Sequence, residues 1–135
     1  MTCLLFFSAL GVACERDGQC SVSIGSANFT IEPNTAYYYG LNNVGGYMYF
    51  TGGHRGVIVV RTAYDHFIAF ERTCPEDNTS AVVVSDDWGS SILECPSCHS
   101  RFIVEADGMP LEGSVTPCPL YQYSTLYSGG VLYVY

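Results

Sequence analysis

Residues 95–135 read CPSCHSRFIVEADGMPLEGSVTPCPLYQYSTLYSGGVLYVY. A thiol-rich loop, Glu94-Cys95-Pro96-Ser97-Cys98-His99-Ser100, opens directly into short β-branched and aromatic runs divided by turn residues. Residues 101–105, 120–124 and 131–134 carry strand-type side chains, and Ala106-Asp107-Gly108 and Ser128-Gly129-Gly130 supply the positive-φ residues that hairpin turns require. Working towards the N-terminus, the same alternation of short runs and turns predicts further strands at 27–31, 47–50, 56–61, 67–71, 80–84 and 91–94. Asn43-Val44-Gly45-Gly46, Gly52-Gly53 and Asp86-Asp87-Trp88-Gly89 provide the turns between them. No segment beyond residue 20 spaces its apolar residues at helical intervals. The fold class is therefore all-β and antiparallel.

Composition narrows the function. Thirteen acidic residues face five arginines and no lysine, a formal charge of -8, so nucleic acid is excluded as a partner by repulsion. At 135 residues the chain holds one domain. No Ser-His-Asp order, phosphate-cradling glycine loop or pair of shielded carboxylates is present, so the chain is read as a non-enzyme. His54 and Arg55 in a glycine-flanked turn, His66 beside Asp65, and the acidic tip Asp86-Asp87-Trp88 read as solvated turns. The tyrosine-rich stretches at 37–39, 47–49 and 121–135 read as core caps.

The cysteines carry the chemistry. Thr73-Cys74-Pro75-Glu76-Asp77 and the 95–100 stretch each follow a strand, which sets thiols at the tips of two hairpins. Paired Cys-Pro loops on neighbouring strands can clamp a metal or cluster. The run from Cys95 to Tyr135 resembles the second half of a Rieske [2Fe-2S] domain, which reads Cys-Pro-x-His-Gly-Ser-x-Phe followed by a Gly turn, a second Gly, Pro-Leu, Tyr and a closing strand. Phe67 to Pro75 resembles that family's first ligand strand and loop, with Cys74 at the matched cysteine. The resemblance spans roughly 25–135 and implies an antiparallel β-sandwich with two cluster-type loops and an origin in electron transfer.

On this matching Cys95 takes the second cysteine position, Cys98 stands where the family has histidine, His99 where it has Gly, and Ser100 where it has the Ser that hydrogen-bonds a bridging sulfide. Glu76 stands at the other histidine position. Both imidazole positions are altered, which leaves three readings. In the first, Cys74 pairs with Cys95 or Cys98 and the domain is a cluster-free, disulfide-stapled scaffold or binding module. In the second, Cys74, Cys95 and Cys98 hold a [2Fe-2S] cluster with a fourth ligand from His99, Glu76, Asp77 or Cys118, and the domain carries electrons to a redox partner. In the third, the same thiols with His99 or Cys118 bind one zinc or iron ion. A Cys20–Cys118 bridge is open as a peripheral pairing.

Residues 4–13, LLFFSALGVA, form an uncharged apolar run too short to span a bilayer and suited to a signal peptide. It ends in Leu10-Gly11-Val12-Ala13-Cys14, which resembles a lipobox. The expected organisation is a signal peptide at 1–13, a tether from the lipid anchor Cys14 to residue 24, and a domain at 25–135. That places the protein in the cell envelope, lipid-anchored to the membrane and facing the periplasm or the outer surface.

Overall fold

The computed structural model describes residues 20–135, so the signal peptide and Cys14 lie outside the described residues. Eleven strands run in chain order: β1 (Phe29–Ile31), β2 (Tyr47–Phe50), β3 (Val57–Ala63), β4 (His66–Glu71), β5 (Val83–Ser85), β6 (Gly89–Glu94), β7 (Arg101–Ile103), β8 (Met109–Pro110), β9 (Gln122–Tyr123), β10 (Thr125–Ser128) and β11 (Val131–Val134). The helical segments among the described residues are two 3₁₀ turns, Ala36–Leu41 and Val104–Ala106. The strands form three antiparallel sheets in the orders β1-β11-β10, β2-β3-β4-β9 and β5-β6-β7-β8.

The β3-β4 hairpin is buried on both faces, which is why its sequence is almost continuously apolar rather than alternating. Ile58, Val60, Ile68 and Phe70 point into a core completed by Val82, Leu93, Phe102 and Leu120. Val57, Val59, Phe67 and Ala69 point the other way, against Ile31, Leu41, Leu132 and Val134. A period of two thus divides one hairpin between two cores. The first core fills the space between the middle sheet and β5-β6-β7-β8, and it contains Cys74 and Cys95.

Polar groups are also sealed into this packing. Arg61 is buried, and its guanidinium donates to the carbonyls of Leu41, Asn42 and Tyr64 and to Asn34 Oδ1. It also lies over the Phe67 ring at 4.9 Å. Arg61 thus satisfies the carbonyls of Leu41 and Asn42 at the end of the irregular 34–42 segment, while the Asn42 amide donates to those of Thr35 and Tyr38.

All nine strands expected from the sequence are present, most of them with shifted ends. Two features were missed. Met109–Pro110 is too short to show a periodic pattern, and the 120–135 region divides into three strands instead of two. The tyrosine reading holds for Tyr38, Tyr123 and Tyr127, which join or pack against the core around Leu41 and Leu132, and needs correction for Tyr37 and Tyr39, 80% and 77% exposed, because both ride a 3₁₀ turn whose inward position belongs to Leu41. Tyr47 and Tyr49 are also exposed.

Candidate functional site: a thiol triad between two matching loops

β4 ends at Glu71 and β6 at Glu94, and the two loops that follow are built alike. In the first, the Cys74 N–H donates to the Ser80 carbonyl at 2.8 Å, and the Cys74 carbonyl accepts from the Asn78 N–H at 2.9 Å. In the second, the Cys95 N–H donates to the Ser100 carbonyl at 2.9 Å, and the Cys95 carbonyl accepts from the His99 N–H at 2.9 Å. Proline follows the leading cysteine in both, and the residue four places on is left-handed in both, Asn78 at φ 59° and His99 at φ 64°. His99 therefore occupies the conformation glycine usually supplies. The Ser80 and Ser97 hydroxyls, 2.5 Å apart, tie one loop to the other.

Between the loops, the sulfurs of Cys74, Cys95 and Cys98 all lie within 4.8 Å of one another. Cys74 and Cys98 are separated by 3.7 Å, and all three are free thiols. Cys74 and Cys95 are fully buried, and Cys98 is half-buried. Burial pushes the Cys74 thiol up to about 12, against the pull of the Asp77 and Glu76 backbone N–H groups. Cys98 goes the other way. Although partial burial opposes ionisation, the Ser100 hydroxyl and N–H together with the neighbouring thiols hold it below its ordinary value. Ser100 is itself buried, and its Oγ accepts from the Val115 and Thr116 N–H groups at 3.0 and 3.3 Å. The neutral Cys98 thiol donates to Ser100 Oγ at 3.2 Å, and once Cys98 ionises the Ser100 hydroxyl donates to the sulfur in return.

The other expected ligands stay outside. The His99 side chain is 74% exposed and sits 3.6 Å from Glu94, and Glu76 is exposed. The Asp77 carboxylate turns back on its own loop, accepting from the Thr79 and Ser80 N–H groups and the Ser80 hydroxyl at 3.0 Å each. Cys118 is bonded to Cys20. The structure thus brings together Cys74, Cys95, Cys98 and Ser100 and leaves His99 apart. The expected bridge from Cys74 to Cys95 or Cys98 is not formed here. Cys20 and Cys118, with Cα atoms 5.3 Å apart, make the disulfide instead, an ordinary span for such a bond.

Sequence reading missed the support beneath the first loop. Glu71 is fully buried, and its oxygens accept from the His54 and Arg55 N–H groups at 2.8 Å and from the Thr73 N–H and hydroxyl. The Tyr123 hydroxyl is 2.8 Å from the same carboxylate. Despite burial, these donors hold Glu71 below the usual carboxylate value. Gly53, at φ 62°, lies so close that a Cβ there would overlap Glu71 Oε1. A carboxylate closing an otherwise apolar strand, FIAFE, was the available signal.

A histidine-ligated Rieske cluster does not fit this donor set. It needs two imidazoles on one iron, and the matched positions hold an exposed Glu76 and the thiol of Cys98. No protein-family model matches the chain, and no curated protein matches it. Among solved structures it is similar to the "Ferredoxin of carbazole 1,9a-dioxygenase from Nocardioides aromaticivorans IC177", at 23% identity and a TM-score of 0.49 over 68% of this chain and 86% of that one. It is also similar to a complex of reduced oxygenase and oxidised ferredoxin in carbazole 1,9a-dioxygenase, at 22% identity and a TM-score of 0.44 over 67% and 80%. With antiparallel sheets throughout and two similar Cys-Pro loops set side by side, the described residues form an all-β domain that brings three thiols together between its loops, with no histidine among them.

Proposed function

We propose that this chain is an exported, lipid-anchored electron carrier in which Cys74, Cys95 and Cys98 bind a single iron ion in place of a histidine-ligated cluster. The carrying observation is the convergence of three sulfurs within 4.8 Å. Four thiolates arranged tetrahedrally around an ion at about 2.3 Å stand about 3.8 Å from one another. Cys74 and Cys98 are 3.7 Å apart. A two-iron core would instead need ligand pairs on opposite sides of its sulfide bridges.

The charge balance also favours an ion. Three thiolates at this separation repel one another, and a divalent cation removes that repulsion while displacing the thiol protons. Backbone N–H groups aimed at Cys74 and the Ser100 proton aimed at Cys98 then stabilise the anionic sulfurs. The resemblance to Rieske domains favours iron over zinc, and electron transfer to a protein partner as its use.

The test is metal, acid-labile sulfide and free-thiol analysis of the full-length protein purified from the envelope fraction without oxygen. The expected result is one iron per chain and no labile sulfide, with Cys98→Ser weakening metal binding by at least about tenfold. Two irons with two sulfides, or one zinc, would replace the proposed ion. The contact between Cys74 and Cys98 supports a second reading, the disulfide-stapled scaffold, whose signature is a metal-free protein with Cys95 as its remaining free thiol. For the anchor, incorporation of labelled fatty acid is expected in the wild type and lost in Cys14→Ser, and equal labelling of the two would refute it.

A further inference from the structure

Resting on the single-ion reading, we infer that the ion has an open fourth corner on the side of the first loop, where a small donor from solution binds and exchanges. The argument comes from the match between the two loops. Leading cysteine, following proline, the hydrogen bond from the residue four places on, and the left-handed turn all correspond. Counted from the leading cysteine, Asp77 of the first loop corresponds to Cys98 of the second, three residues on in each, while Glu76, matched above to the family's histidine, is exposed and outside the thiol cluster. Two such loops facing one another frame four ligand positions, of which this chain fills three with sulfur.

The fourth is withheld. Asp77 stands at that place, but its carboxylate is occupied by the Thr79 and Ser80 N–H groups and the Ser80 hydroxyl and has no oxygen within the thiol cluster. Cys118 is consumed in the disulfide, and His99 faces Glu94 at the surface. Three protein ligands with a fourth place left to water is the arrangement of metal sites that exchange ligands, whereas four protein ligands make a closed, structural site. Cys98 is the half-buried member of the cluster and the thiol that solvent reaches, whereas Cys74 and Cys95 are fully buried. In the exchange, water leaves the ion and the donor's lone pair takes its place, with no change in oxidation state.

Cobalt(II) is the probe, since its visible spectrum reports both the number of thiolates and the geometry around it. Full-length wild type is expected to bind one cobalt with the loss of three free thiols and to shift its d–d bands when imidazole is added. Asp77→Cys is expected to close the site, raising thiolate-to-cobalt charge-transfer intensity by about one third and abolishing the response to imidazole. Asp77→Asn should leave cobalt affinity within about twofold, because the carboxylate is not a ligand. A wild-type spectrum indifferent to imidazole, or a large loss of affinity in Asp77→Asn, would overturn the open corner while leaving a three-thiol ion in place. A wild type that takes up no cobalt would instead overturn the single-ion reading itself. The imidazole titration needs no variant, so the inference stays testable if Asp77→Cys fails to fold.

Discussion

Glu71→Gln is expected to lower the stability of the domain by about 3–5 kcal/mol at neutral pH, although the side chain keeps its size. Glu71 Oε1 takes the His54 N–H and lies beside the Tyr123 hydroxyl, while Oε2 takes the Arg55 N–H and both donors of Thr73. Whichever oxygen becomes an amide nitrogen, a fully buried NH₂ group then faces N–H and O–H donors, and each orphaned donor costs about 1–3 kcal/mol. Gly53 packs against the carboxylate, so the turn cannot move closer to compensate. The sign with pH follows from a folded value below the unfolded one of 4.5. The ionised carboxylate contributes its stability above about pH 4.5, and that contribution is lost as pH falls through the lower folded value. Urea unfolding at pH 7 should therefore separate wild type and variant widely, and the gap should narrow below pH 4.5. A variant within about 0.5 kcal/mol of wild type at pH 7 would mean the carboxylate does not organise the turn. Because Glu71 holds Thr73, next to Cys74, the variant should also weaken metal retention.

The second large effect belongs to the disulfide. Removing it by Cys20→Ser with Cys118→Ser is expected to cost about 2–5 kcal/mol. Its partners are 98 residues apart, so nearly the whole described chain is closed into one loop. For a loop near that length the chain-entropy relation gives about 4.7 kcal/mol, towards the upper end of the range. Denaturant unfolding with and without reductant measures it, and coincident curves would refute the assignment. Site geometry should respond too. Thr116 Oγ1 accepts from the Cys118 N–H, and the Thr116 N–H donates to Ser100 Oγ, so freeing Cys118 loosens the group that holds Cys98. A weaker hold on metal is the expected accompaniment.

Much of the fold was legible because it rests on local pattern. Short β-branched runs broken by Gly, Asn and Asp specify strands and turns with little help from elsewhere, and the Cys-Pro loops after Glu71 and Glu94 could be located as hairpin tips. The Ser100 and Cys95–Cys98 positions were also legible, since they lie within a few residues of one another and share one loop. Short-range spacing was misleading for Tyr37 and Tyr39, because a 3₁₀ turn with three residues per repeat places Leu41 inward and leaves both in solvent.

By itself the sequence determined an acidic, antiparallel all-β domain with thiols on two loops, because charge, strand period and turn chemistry are properties of neighbours in the chain. Which thiols meet was decided by the tertiary structure alone. Cys74 reaches Cys98 only because β4 and β6 lie in separate sheets that close on one core, and Cys118 is taken from the site because Cys20, 98 residues away, arrives beside it. The same holds for Glu71, whose donors come from the 53–55 turn, from Thr73 and from Tyr123. Pairings across such separations carry no periodic trace in the sequence, since they are selected by packing between sheets and not by the spacing of residues along a strand.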